Sequence, residues 1–227
     1  MIAQKRTLPG PIDELAREKS QKSGTWRTPV VIEQLNADFH GKCYLCEQKQ
    51  PTSANVEHLV PHRNIDRDLM FDWNNLFLAC SHCNGTKGDR FFPILNCTAP
   101  GIAVLKHIDF EFVPFPHRQI KIQALTEDKE TVTTCRLLEA VYNGSDTAIV
   151  RRLEAANIRK QVFDDFQKFM AVFERYKNET DKMKKDIVAD ELRRALQPDT
   201  PFTAIKACFV RRQPQCSAVF ADTVDVL

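Results

Sequence analysis

A chain of 227 residues fits one large domain, or a small catalytic module with an added domain. Its 43% hydrophobic and 27% charged residues are ordinary globular values, which exclude a mainly disordered chain. The formal net charge is only +2, so no global basic field favours a polyanionic partner, and any such binding must rest on local clusters or on a second chain. The stretch from Met1 to Arg6 has no apolar segment behind its positive charges, and nowhere do ~20 apolar residues run together as a bilayer span requires. The expectation is a soluble, cytoplasmic protein with no membrane partner. Eight cysteines in such a chain point to metal or reactivity sooner than to disulfides.

In chain order, Pro9-Gly10-Pro11 precedes a short charged helix expected from Ile12 to Lys22, and Trp26 follows in a loop. Thr28-Pro29 makes a good helix start, with a side-chain acceptor at the N-cap and proline at the first helical position. Val30, Val31, Leu35 and Phe39 are expected on its apolar face, and Gly41 closes it. From Cys43 to about Arg90 periodicity breaks up, and Cys, His, Asn and turn residues crowd together. Ile108 to Val113 and Gln119 to Ile122 alternate apolar and polar, as two short strands around the turn Pro114-Phe115-Pro116. The remainder reads as helical. Asn143-Gly144-Ser145 marks a break and a new N-cap, followed by a stripe of Ile149, Leu153, Ala156, Phe163, Phe166, Met170 and Phe173. A charged helix is expected from Lys177 to Leu196, and a last one from Phe202 to Arg212. The expected division is an N-terminal helical segment over 1–42, a core rich in Cys, His and Asn with its following strands over 43–130, and a helical domain over 131–227.

Cys43-Tyr44-Leu45-Cys46 and Cys80-Ser81-His82-Cys83 are two CxxC knuckles with 33 residues between them. Each knuckle aims two thiolates at one point, and two complete the tetrahedron that structural Zn²⁺ prefers. Such a site can contribute roughly 10–16 kcal/mol to a segment too poor in apolar residues for a core of its own. Cys97, Cys135, Cys208 and Cys216 have no paired spacing and read as buried or idle thiols.

A plain zinc ribbon needs only its cysteines. This one also carries Glu57-His58-x-x-Pro61, then Asn75-Leu76, then Asn84 directly after Cys83, then Lys87. The whole pattern, about 50 residues long, resembles the HNH endonucleases in their zinc-bound form. The resemblance implies an α+β fold, a ββα-metal core stapled by a four-Cys zinc site, with a largely helical C-terminal part. It implies His58 as general base, Asn75 as the amide that positions it, and Glu57 and Asn84 as ligands of a catalytic Mg²⁺ or Mn²⁺. In the family the first ligand is often Asp or His, so Glu57 departs by one methylene. His82 lies inside the knuckle and out of register. The chemistry stands without the family as well. A neutral imidazole with a pKa near ~6.5 can take a proton from water, and hard oxygen ligands suit a cation that binds phosphate. No cluster of carboxylates supports a second metal. Lys87, Arg90, Arg63 and Arg67 could neutralise neighbouring phosphates or be ordinary surface charge. Trp73 beside Phe71 and Leu76 reads as core sooner than as a base-stacking platform.

The fuller string from Glu57-His58 through Phe71-Asp72-Trp73-Asn74-Asn75-Leu76-Phe77-Leu78-Ala79-Cys80 resembles one branch, the PtuB-type HNH subunits of Septu anti-phage systems, including those attached to retrons. That resemblance implies an ABC/SMC-type ATPase partner, PtuA, a role in destroying nucleic acid, DNA sooner than RNA, and in retron-attached systems a retron RNA–DNA and a reverse transcriptase. The aromatic stripe Phe163, Phe166, Phe169 and Phe173 either fills the core or faces such a partner. The rival readings are an RNA- or tRNA-cleaving HNH toxin, a non-catalytic zinc module that binds nucleic acid, and a scaffold for another subunit.

Overall fold

The computed structural model describes residues 1–225 and 227. Helix α1, Ile12–Ser20, has Asp13 and Glu14 in its first turn and Arg17 and Lys19 in its last, the order that complements the helix dipole. Helix α2, Pro29–Asp38, starts as its sequence dictates, with the Thr28 hydroxyl accepting the Val31 N–H at 3.4 Å. Val31, Leu35 and Phe39 are buried, whereas Val30 faces solvent. Gly41 takes φ +66° and donates its N–H to Asn36 O at 2.8 Å, which turns the chain into the first knuckle.

Strand β1, Ala54–His58, pairs antiparallel with β2, Leu76–Cys80, so that Ala54 faces Cys80 and His58 faces Leu76. Between them lie α3, Arg67–Met70, and a 3₁₀ turn over Trp73–Asn75. Helix α4, Ser81–Lys87, follows β2 without a break. Every residue of β2 is buried, and Phe77 packs against the rings of Tyr44 and Phe39 at 4.9 and 5.5 Å. Trp73 belongs to this core: its Nε1 donates to Thr7 O at 2.9 Å, and the Arg6 guanidinium lies 4.8 Å over its ring. This is the ββα core of the sequence reading.

A second antiparallel hairpin, β3 (Ile108–Val113) and β4 (Gln119–Ala124), turns through Pro114 to Pro116 as expected and packs against α5, Lys129–Asn143. Then come α6 (Ile149–Asn178), α7 (Lys182–Ala195), α8 (Thr203–Arg211), α9 (Pro214–Ser217) and α10 (Ala221–Val224). Gly144 ends α5 with φ +72°, and an added Cβ would stand 3.0 Å from Arg152 Cα, so the α5–α6 corner admits only glycine. Ser145 does not cap α6, which begins after Ala148. The buried stripe is also shifted. It runs through Ala155, Ile158, Val162, Phe169, Phe173 and Tyr176, while Ile149 and Leu153 are 60% and 66% exposed. Two heptad-like series coexist on this helix, and close packing on α5 selects the one that begins with the small Ala155. The next helix begins at Lys182 because Asp181 caps it, accepting from Lys184 N at 3.0 Å. The aromatic side chains fill the interior: Phe166, Phe169 and Phe173 surround Phe209 of α8 at 5.4, 6.0 and 5.1 Å.

One hydrophobic cluster extends from Met1 to Leu227. A buried charge cluster crosses it. The Glu47 carboxylate, 1% exposed, receives the Met1 ammonium at 2.8 Å, Lys42 Nζ at 3.1 Å and the Ala204 N–H at 3.2 Å. Lys42 Nζ also donates to Pro198 O and Thr200 O, both at 2.7 Å. Burial alone would raise the Glu47 carboxyl, but the Met1 and Lys42 charges outweigh it and hold it at about 2. A carboxyl depressed on folding stabilises the protein above its unfolded value near 4.5, and that contribution is lost as pH falls towards 2. Glu47→Gln should therefore cost about 3–5 kcal/mol at neutral pH. In urea unfolding followed from pH 6 to pH 2.5, the gap between parent and variant should narrow as the solution is acidified; a gap that stays constant would contradict this role.

Candidate active site

The four knuckle thiols converge. Their sulfur atoms lie within 4.8 Å of one another, all buried, and none is in a disulfide. Cys46 Sγ and Cys80 Sγ are 3.8 Å apart, the edge length of a tetrahedron whose Zn–S bonds are about 2.3 Å. Cys80 also caps α4, its sulfur accepting the Cys83 N–H at 3.4 Å. The donor set and spacing fit a structural zinc ion. The other cysteines do not join them, and burial pushes Cys97 and Cys208 up to about 12 and Cys135 to about 11. His82 points away from the cleft, with Nε2 at 2.9 Å from Val141 O and Nδ1 at 3.0 Å from Glu154, where it ties α4 to α5 and α6.

On the other side of α4 is a cleft of about 220 Å³, lined by Trp26, Arg27, Val56, Glu57, His58, Pro61, His62, Arg63, Asn64, Asn84, Lys87, Gly88 and Asp89. Larger grooves follow α7, but their walls, with Ile187, Asp190, Glu191 and Arg194 in one of them, include no histidine or cysteine and lie apart from the knuckles.

His58 ends β1 at the cleft floor. Its Nε2 lies 3.0 Å from Met70 O. A carbonyl can only accept, so Nε2 carries the proton and the lone pair of the neutral ring sits on Nδ1. Nδ1 makes no hydrogen bond among the described residues. Burial lowers the His58 pKa to about 4, with the Met70 bond opposing and the Lys87 charge assisting, so the ring is neutral at pH 7. Among the described residues Asn75 makes no hydrogen bond to the ring. Its Oδ1 accepts from Val60 N at 2.7 Å, and its Nδ2 donates to Val60 O and Leu69 O, both at 3.0 Å. Val60 is two residues beyond His58, and Leu69 adjoins the Met70 carbonyl that holds Nε2. The amide fixes the loop on which the imidazole is oriented.

Glu57 lines the cleft but is already engaged. Lys87 Nζ is 2.8 Å from Oε1, and the Tyr44 hydroxyl donates to Oε2 at 2.8 Å. Burial raises its pKa, and the Lys87 charge and these two bonds oppose the rise. The Asn84 side chain lines the same cleft and has no hydrogen-bond partner among the described residues. Lys87 differs most from its sequence reading as a phosphate contact. It is 1% exposed, and its ammonium also donates to His58 O at 2.8 Å. Arg67 is likewise committed, to Lys19 O and Gln21 O at 2.6 and 2.9 Å. Arg90 stacks on Phe91 outside the cleft, and Arg63 is exposed at the cleft edge.

Among the lining residues to which the sequence reading gives no role at the site are Trp26, Arg27, His62 and Asp89. The Trp26 ring stands 5.0 Å from His58 and 5.3 Å from His62. Trp26 and Arg27 reach the cleft from a loop outside the motif, where no local pattern marks them. His62 carried a signal, being four residues past His58 at the mouth of the same loop.

Residues 43–90 match the model of the HNH endonuclease family. Two Septu PtuB proteins are similar to the chain. That of Bacillus mycoides (strain KBAB4) is 30% identical over 118 residues, 42% of this chain and 40% of its own. That of Bacillus thuringiensis is 30% identical over 82 residues, 34% of this chain and 32% of its own. The chain thus spans at most about two fifths of the length of these relatives. No solved structure matches it. Over residues 43–90, therefore, the chain carries a domain of the HNH endonuclease family, with a four-cysteine cluster that fits the zinc-bound type.

Proposed function

We propose that the chain is a metal-dependent endonuclease that hydrolyses phosphodiester bonds, DNA sooner than RNA, as the nuclease of an anti-phage complex with an ABC/SMC-type ATPase. The observation that carries this reading is the fixed tautomer of His58. With Nε2–H held by the Met70 carbonyl, Nδ1 is left as a proton acceptor on a cleft that also holds a carboxylate and an unengaged amide. Water adds to phosphorus as its proton passes to Nδ1, and the bond from phosphorus to the leaving oxygen breaks. Such a base contributes about 10²–10⁴-fold.

Glu57 and Asn84 would hold one Mg²⁺ or Mn²⁺, which when bound polarises the phosphate and stabilises the leaving oxygen. The residues fit such an ion. Asn84 has a free amide oxygen, and each Glu57 oxygen spends one lone pair on its hydrogen bond and keeps another. Lys87 already balances the Glu57 charge, so a single cation that arrives with the anionic substrate suits the site better than a resident pair. Arg63 and the newly found Arg27, both exposed at the cleft edge, are the side chains placed to meet flanking phosphates.

The defence role and the ATPase rest on the similarity to the Septu PtuB proteins. The exposed Ile149, Val150 and Leu153 at the start of α6 give a partner an apolar foothold close to α4. Among the described residues no helix is long and apolar enough to cross a membrane, which is compatible with a cytoplasmic site of action.

The deciding experiment incubates the purified chain, alone and with the ATPase, with plasmid DNA, total RNA and tRNA in Mg²⁺ or Mn²⁺. Cleavage of DNA that stops in EDTA is expected, and RNA as the sole substrate would overturn the DNA preference. His58→Ala should lower cleavage by about 10²–10⁴-fold with the zinc retained and the chain still folded; undiminished cutting would remove the assigned base. Metal analysis should find one zinc per chain. Cys83→Ser should lose that zinc together with much of the fold, and a zinc-free variant that melts like the parent would refute the staple.

A further inference from the structure

The geometry points to His62 as a second imidazole of the reaction centre, one that donates its Nε2–H to a non-bridging oxygen of the scissile phosphate. The inference rests on the phosphodiesterase reading of the cleft and adds a substrate-touching residue to it.

The rings of His62 and His58 lie with centroids 4.3 Å apart and planes at 71°, and Trp26 stands edge-on to both. A phosphate within reach of one imidazole is therefore within reach of the other. What differs is the valence each ring presents. The Asn64 N–H donates to His62 Nδ1 at 3.0 Å. A backbone N–H can only donate, so that bond consumes the Nδ1 lone pair, and the neutral ring carries its proton on Nε2. His58 is held the other way, with Nε2–H spent on Met70 O and the lone pair on Nδ1 left over. One ring offers a lone pair to water, and its neighbour offers an N–H to the oxygen that gains charge.

The turn behind His62 is built to hold this tautomer. Arg63 and Asn64 both adopt left-handed backbone, φ +51° and +59°, a conformation that is unfavourable for non-glycine residues and persists where surrounding contacts fix it. Here the Ile65 and Asp66 N–H groups both return to His62 O, at 3.0 and 3.2 Å. The same bond rules out the obvious alternative. A metal-binding imidazole needs a free lone pair, and neutral His62 has none. Partial burial lowers the His62 pKa while Asp89 and Asp66 oppose the shift, so the ring is a neutral donor at pH 7.

Asparagine and glutamine separate the two nitrogens, because an Asn amide reaches roughly the Nδ1 position and a Gln amide the Nε2 position. Single-turnover DNA cleavage by His62→Ala and His62→Asn should fall on the order of 10²-fold in rate, and His62→Gln should return to within about fivefold of the parent. Mn²⁺ affinity, followed by titration without nucleic acid, should be the same in all four proteins. Equal rates in all four would overturn the donor role, and a fall in Mn²⁺ affinity in His62→Ala would make the residue a ligand instead. A second arm does not depend on cleavage. In ¹⁵N-histidine spectra, dimethyl phosphate should shift the His62 Nε2–H resonance of the parent, and a resonance that does not respond would sink the inference. If the parent cuts nothing yet this resonance responds, the nuclease reading falls and the anion-donating imidazole stands.

Discussion

A single buried ammonium organises the cleft. Lys87, at the last residue of α4, sends its charge back across the core to Glu57 Oε1 and to the carbonyl of His58, the last two residues of β1. Burying a lysine is costly unless it is paired and fully hydrogen-bonded. That requirement locks the helix end to the strand end, and the carboxylate and the imidazole inherit their positions from it. Tyr44, beside the first cysteine, supplies the remaining bond to Glu57 and joins the knuckle to the same network.

The thiol cluster and the lysine act on the same short helix from opposite ends. Cys80 and Cys83 fix the first turn of α4, and Lys87 fixes the last. Asn84 lies between them, on the face that lines the cleft. A seven-residue helix has almost no stability of its own in water. Both anchors are needed if Asn84 is to face Glu57 across a fixed gap. The Asn75 amide does for the intervening loop what the anchors do for the helix, by satisfying Val60 and Leu69 at once.

Much of this was legible in the sequence. The CxxC spacing announced the thiol cluster, Thr28-Pro29 announced α2, and period-two alternation announced the β3–β4 hairpin, because each is encoded within a few residues of chain. The choice for Trp73 and the phenylalanine stripe, core or surface, was resolved in favour of the core. Lys87 was misjudged because a lysine after a knuckle is usually solvated, and only the meeting of two elements distant in sequence buries it. The buried face of α6 is hard to read because the bulky Ile149 and Leu153 fit a helical period as well as Ala155 does, although the tight corner at Gly144 favours the smaller residue. Trp26 and Arg27 carried no local mark.

The placement of Trp26 and Arg27 has a bearing on transplanting this domain. They belong to the loop before α2, upstream of the 43–90 stretch, yet they form one side of the cleft. Excising that stretch would carry off the sulfur ligands and both imidazoles and leave behind the indole that flanks them and a guanidinium at the entrance. One side of the cleft is thus encoded outside the matched stretch, so a transplant that keeps the cleft's shape must bring the loop before α2 with it.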